Sequence, residues 1–309
     1  MVNIAQIRQS NSLISASTAP RVAVFVGGTS GIGTAAVASI ARLNTPVKAY
    51  VIGRKSSEAF FRTFAADLQQ ANPDANLIFL EGEISLLAEV KRNTVEGLDT
   101  SHALSFYSRM CCTENLLPLL RLSGRARVVT VLAGGLEGAT YFNEDDLNLE
   151  KNGAFGAIAT QRHMGAMNTL FLERLAEDPK NSSITFMHSH PGIVRTGNVF
   201  RGWAEGGWGI WMATVFMDPL LRLIAFSDEE SAERYLYQIT SGAFGGQGVR
   251  IEGAESGQTT KGKVAGGLFL VGRYCDAVMN EKEMAKLRVT AQEKVWEKTY
   301  QIIGPSVAS

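Results

Sequence analysis

Two short stretches carry the residue types most able to do chemistry. The run Gly27-Gly28-Thr29-Ser30-Gly31-Ile32-Gly33 follows the apolar segment Val22–Val26 and precedes helix-forming sequence from Thr34. Glycines at such a junction let the backbone approach a diphosphate. The free N–H groups and the dipole of the helix N-terminus then favour negative charge. Gly27, Thr29, Ser30, Gly31, Ile32 and Gly33 are therefore the candidate dinucleotide contacts, with a merely flexible loop as the plain alternative.

The second stretch decides which dinucleotide. A second apolar run, Val47–Ile52, leads into Gly53-Arg54-Lys55-Ser56-Ser57. An acid there would bond the ribose hydroxyls and repel a 2′-phosphate; a guanidinium pairs with that phosphate instead. Arg54 thus favours NADP(H) over NAD, unless it simply points to solvent. Imidazoles are few. His188-Ser189-His190 places two on one side of an extended segment, but no third ligand is evident and no metal is expected.

Elements able to position these groups alternate along the chain. Strand candidates are Val22–Val26, Val47–Ile52, Leu77–Leu80, Ala126–Leu132, Ile184–His188 and Gly267–Val271. Helical sequence lies near 34–43, 58–71, 101–122, 158–177, 229–239 and 281–302. Unbroken β-branched runs alternating with helices imply an α/β fold, a doubly wound parallel sheet in a single domain. Residues 1–20 read as an N-terminal extension, 21–275 as the nucleotide-binding domain and 276–309 as a C-terminal helix.

Composition agrees with this class. The 309 residues hold 30 Lys or Arg and 30 Asp or Glu, 45% hydrophobic residues and 19% charged ones. That balance can bury a large core and lacks the basic footprint of a nucleic-acid binder. Three cysteines, two adjacent at 111 and 112, form no disulfide framework and suit a reducing, cytoplasmic setting. The apolar segment 208–226 has the length of a membrane span, but Asp218 and Arg222 lie inside it. A transmembrane helix is not expected.

The spacing Gly27-x-x-x-Gly31-Ile32-Gly33 resembles the short-chain dehydrogenase/reductase family, and the resemblance extends from Arg21 to about Gly272. It includes Val47 to Arg54 and Pro191-Gly192-Ile193-Val194-Arg195-Thr196. The resemblance implies that Pro191, Gly192, Val194 and Thr196 embrace the nicotinamide end of the cofactor. Glu83 and Ile84 match the position that contacts adenine, where the family more often has Asp. Glu96-Gly97-Leu98-Asp99-Thr100 and Tyr107-Ser108-Arg109-Met110 are similar to a filamentous-fungal branch tied to secondary metabolism.

The family's proton relay pairs a Tyr with a Lys four residues later on one helix face, preceded by a Ser at a strand end. By register with the helix at 158–177, the Tyr position falls on Phe155 and the Lys position on Ala159. The Ser position falls on or near Leu132-Ala133-Gly134. No Tyr-x-x-x-Lys occurs anywhere in the chain. Weak substitutes are Tyr141, in a loop, and His163, which shares the helix face but lies about 12 Å beyond Phe155.

A second departure concerns length. The family places a helix, a fourth strand and a turn before the helix at 101–122, about 30 residues or more. Only Glu83 to Thr100 is available. The fourth strand, which would sit beside the first in the middle of the sheet, is expected to be missing, through a gene-model error or a genuine deletion.

Residues 197–226 resemble the segment that folds over the substrate. Phe200, Trp203, Trp208 and Trp211 imply a lid over a small apolar carbonyl or alcohol. The helices at 101–122 and 158–177 resemble those through which family members dimerise. The expected activity is NADP-dependent oxidoreduction. A dehydratase, isomerase or cyclase, or an inactive nucleotide-binding protein, are the alternatives on the same scaffold.

Overall fold

The computed structural model describes residues 1–82, 102–151, 157–194 and 225–307. In chain order its principal elements are α1 (Ile4–Ser12), β1 (Val22–Val26), α2 (Gly31–Ala41), β2 (Val47–Gly53), α3 (Glu58–Ala71), β3 (Ala75–Glu81) and α4 (Ser108–Ser123). Then follow β4 (Arg127–Val131), α5 (Ala157–Glu177), β5 (Thr185–Ser189), α6 (Asp228–Thr240), β6 (Gly267–Val271), α7 (Glu281–Thr290) and α8 (Gln292–Ile303). They group into two compact units: Val2–Gly82 with Pro191–Ser241, and Met1 with Glu83–His190 and Gly242–Ser309.

In the first unit three parallel strands lie in the order β1-β2-β3, with Val22 opposite Lys48 and Val47 opposite Ala75. Helix α2 is apolar almost throughout and buries Val37, Ile40 and Ala41 with Val47, Val51, Phe61 and Leu68. Helix α6 packs on α2 and on α1. Its start is fixed by Ser227, whose hydroxyl accepts from the Glu230 N–H at 3.0 Å, and by three acids in its first turn. The buried Asn72 amide donates to the carbonyls of Ala41, Leu43 and Thr45, tying the end of α3 to the α2–β2 turn.

Strand β1 is peculiar. Its composition is that of a strand buried on both faces, yet Val22 is 61% exposed and Val24 and Val26 are each 40% exposed. Among the described residues it is paired on one side only. The expectation of a helix at 85–92, and of no strand before Ser101, falls on residues outside those described.

The second unit has parallel strands in the order β4-β5-β6, with Arg127 opposite Thr185 and Thr185 opposite Gly267. Central β5 is buried at every position, although it contains Thr185, His188 and Ser189. Phe106, Met167, Leu170, Phe171, Phe186, Leu268 and Val295 form the core between sheet and helices. Glu173 on α5 is 1% exposed and receives both Nε (2.8 Å) and Nη2 (2.9 Å) of Arg288 on α7. The C-terminal segment, expected as one helix, is two. Ala291, at φ −126°, separates α7 from α8, so that Met284 and Leu287 of one and Val295 and Ile303 of the other all reach the core.

Candidate functional site

The glycine turn joins β1 to α2. Gly27 has φ +89° and Gly31 φ +55°, the left-handed region that side chains disfavour. Gly33 is fixed by contact: a Cβ there would lie 2.2 Å from the Gly27 carbonyl oxygen. Ser30 stands at the N-cap of α2 without a side-chain capping bond. The Thr34 hydroxyl donates to the Gly28 carbonyl at 3.3 Å. The turn therefore folds tightly against the helix start and presents bare backbone at Gly27, Gly31 and Gly33, as close approach of a diphosphate requires. These residues fit the dinucleotide's diphosphate.

Arg54 immediately follows β2, and its exposed guanidinium has no ion pair among the described residues. Lys55 beside it is committed elsewhere, 2.6 Å from Glu58 and 3.3 Å from Glu81. Hydrogen bonds to those acids raise the Lys55 pKa, and hydrogen bonds from Lys55 and Arg62 lower that of Glu58. Glu58 and Glu81 are thus paired with Lys55, and neither is paired with Arg54.

In the same unit Pro191-Gly192-Ile193-Val194 leaves β5 through Gly192 at φ +69°. Val194 is buried and forms a parallel bridge with Phe226, whose N–H donates to the Ile193 carbonyl at 2.9 Å. Thr196, Glu83, Ile84 and the lid aromatics Phe200, Trp203, Trp208 and Trp211 lie outside the described residues.

In the second unit the segment after β4 is shaped by close backbone approach. A Cβ on Gly134 would lie 1.9 Å from the His188 carbonyl oxygen, so no side chain fits there. The Ala133 N–H donates to His188 Nε2 at 3.2 Å, which fixes the imidazole proton on Nδ1. Nδ1 donates to Thr169 Oγ1 at 2.7 Å, and that hydroxyl donates to Glu137 Oε1 at 2.6 Å. Glu137 also receives the Gly135 N–H (3.0 Å) and the Asn280 amide (3.2 Å). His188 and Glu137 are 3.7 Å apart, but this is no ion pair: complete burial lowers the His188 pKa to about 3. Burial raises that of Glu137. The result is a buried polar chain clamping the β4 turn to α5 and β5.

Sequence reading did not find this chain of contacts. The sequence offers His188 only as a neighbour of His190, with no third ligand and no metal expected; in the fold both of its ring nitrogens are engaged in hydrogen bonds. No group of three metal-ligating side chains occurs among the described residues. The conjunction of a Glu, a Thr and a His, all in segments apolar enough to be buried, was the available signal. Phe155 lies outside the described residues, and Ala159 sits in the first turns of α5. His163 stacks on Phe142 with ring centroids 4.5 Å apart. Its Nδ1 faces the Asn143 N–H at 3.5 Å and its Nε2 the Leu147 carbonyl at 3.1 Å. Burial pushes its pKa down to about 4. Tyr141 ends a short 3-10 turn, Ala139–Tyr141. No described helix is long and apolar enough to cross a membrane.

No family model matches the chain. An oxidoreductase of Emericella nidulans is 30% identical to it across 99% of each chain. An oxidoreductase of Emericella variicolor is 31% identical over 97% of this chain and 96% of its own. A short-chain dehydrogenase/reductase of Stachybotrys chartarum is 25% identical over 91% of both. Among solved structures, levodione reductase covers 72% of the chain and 92% of itself at TM-score 0.52 and 16% identity, a likeness of fold. The alignments to the two Emericella proteins run over 343 and 337 positions, whereas this chain has 309 residues. Each relative therefore faces gaps here totalling roughly the length of a strand-helix-strand unit, about 30 residues. The glycine turn, the parallel α/β sheets and identity spanning nearly the whole chain place it in the short-chain dehydrogenase/reductase family.

Proposed function

We propose that this chain is an NADP(H)-dependent oxidoreductase acting on a carbonyl or alcohol group of an apolar molecule in secondary-metabolite biosynthesis. The observation that carries the cofactor choice is Arg54, a cation at the end of β2 whose neighbouring acids are already paired with Lys55. The glycine turn would take the diphosphate through backbone N–H groups, Glu83 and Ile84 the adenine, and Pro191 to Thr196 the nicotinamide end. Phe200, Trp203, Trp208 and Trp211 would shelter an apolar substrate. The similarity to fungal oxidoreductases supports the metabolic setting, and a cytoplasmic homodimer built on the helices at 101–122 and 158–177 suits it.

A second reading has its own support. The chain has no Tyr-x-x-x-Lys, and Gly134 leaves no room for a serine side chain at the strand end. A non-redox enzyme, or a nucleotide-binding protein without chemistry, retains the cofactor turn and needs none of the relay. Titrating the purified chain with NADPH and NADH by nucleotide fluorescence, then adding a simple ketone, separates the readings. NADPH binding tighter than NADH, with slow NADPH consumption, is the expected result. Tight binding without any turnover favours the second reading. Binding of neither nucleotide overturns both.

A further inference from the structure

The second unit contains an open cavity of about 360 Å³. Leu136 and Val278 supply its apolar lining, His190, Arg273, Tyr274 and Asp276 its polar lining, and three glycines leave the remainder as bare backbone. It lies where β4, β5 and β6 end. Gly134 to Leu136 follow β4, His190 follows β5, and Gly272 to Val278 follow β6. Open α/β sheets place ligands beyond the carboxyl ends of their strands.

Two further features mark this place as built for a ligand. The turn after β6 is closed by Cys275 N–H to Gly272 O and Gly272 N–H to Asp276 O, both 2.9 Å. Cys275 itself is buried at φ +61°, a conformation costly for any side-chain-bearing residue and retained chiefly at functional sites. That turn presents Arg273, whose guanidinium lies 4.7 Å from the Tyr274 ring centroid and has no ion pair among the described residues. His190 Nδ1 is buried without a partner, and burial lowers the ring's pKa, so it brings no competing charge.

We propose that this cavity binds a small carbonyl or alcohol compound through a terminal carboxylate, with Arg273 as the anchor and Leu136 and Val278 against the apolar body. The carbonyl or alcohol rests on the oxidoreductase reading above; the carboxylate rests on the cavity alone. A guanidinium donates parallel N–H bonds to a carboxylate, and charge-assisted bonds of this kind are about twice as strong as neutral ones. The Tyr274 ring 4.7 Å away offers the guanidinium a cation–π contact, and the planar fork itself is a geometry that lysine cannot reproduce.

The test uses the full chain and two probes of similar size, levulinate and 2-pentanone, with affinities measured by ligand-observed NMR. Levulinate is expected to bind at least tenfold tighter. Arg273→Gln should remove that preference, Arg273→Lys should keep part of it, and Arg8→Gln, an exposed cation in the other unit, should leave it intact. Equal affinity for the two probes overturns the proposal, as does a preference that survives Arg273→Gln or is lost in Arg8→Gln. Circular dichroism of each variant confirms that its fold is retained. A parallel NADPH titration keeps the two questions apart: failure to bind nucleotide sinks the oxidoreductase reading and leaves the levulinate comparison standing.

Discussion

A histidine that relays protons near neutrality and one that packs a helix respond oppositely to mild acid, and His163 allows the difference to be measured. Burial, the dominant cause, holds its pKa down to about 4, against an ordinary 6.5. Between those values the unfolded chain binds a proton that the native chain refuses, so stability falls as the pH drops. From pH 7 to pH 5 the loss comes to about 2 kcal/mol for this one imidazole. His188, held lower still at about 3, adds a loss of similar size over the same interval. Glu137 opposes both: burial raises its pKa, so acidification through the interval above its unfolded value favours the native state. The two histidines by themselves account for a large fraction of a typical domain's stability of about 5–15 kcal/mol.

Urea unfolding followed by far-ultraviolet circular dichroism, at pH 7 and pH 5, measures this directly. The informative variant is His163→Gln, which retains a donor for the Leu147 carbonyl but cannot titrate. The native chain should lose about 2 kcal/mol more than the variant between the two pH values. Equal losses would show that His163 titrates in the folded chain near its ordinary value. The packing argument from Phe142, Asn143 and Leu147 would then be wrong, and His163 would return as a proton-transfer candidate.

Other outcomes follow from the same geometry. Arg54→Gln should weaken NADPH binding by about 10- to 100-fold, the loss of one or two charge-assisted hydrogen bonds, and leave NADH binding unchanged in a fluorescence titration. An equal effect on both nucleotides would remove Arg54 from the 2′-phosphate. Gly134→Ser, which places a serine at the strand end, should destabilise the second unit by about 3 kcal/mol or more, because its Cβ meets the His188 carbonyl. A variant with a native urea midpoint would refute that contact. Sequencing of cDNA should reveal an in-frame segment between the codons for Gly82 and Ser101; an uninterrupted match to this chain would make the loss genomic.

What could be read from the sequence was whatever is set by neighbours along the chain. The glycine turn was legible because its constraints act over seven residues, and β1 and β6 because their apolar runs begin and end abruptly. Strand β3 runs from Ala75 to Glu81, longer than the apolar core Leu77–Leu80, because its polar ends pair with β2 and β2 cannot disclose that register. The break at Ala291 was hidden for a related reason. Either half alone is a reasonable helix, and only the position of the core decides that both must bend toward it. Least legible was the Glu137–Thr169–His188 chain, whose members come from a loop, a helix and a strand and meet only in the folded unit.

The exposed valines of β1 turn the length deficit into an energetic one. A strand of this composition belongs between two others, and each valine left half in water forgoes about 1 kcal/mol of the 1.5–3 that full burial provides. Val22, Val24 and Val26 together therefore cost about 3 kcal/mol, before counting the N–H and C=O groups along the strand edge that no described residue pairs. Such an edge is also a template for pairing with another chain, so the purified protein should self-associate as concentration rises. Replacing residues 83–100 by the longer segment expected at this place in the Emericella nidulans oxidoreductase should supply a neighbour for β1. The urea midpoint should then rise and the concentration dependence in sedimentation velocity should disappear. A graft that folds, as judged by circular dichroism, but leaves both quantities unchanged would show that β1 was never the strand in need of a partner.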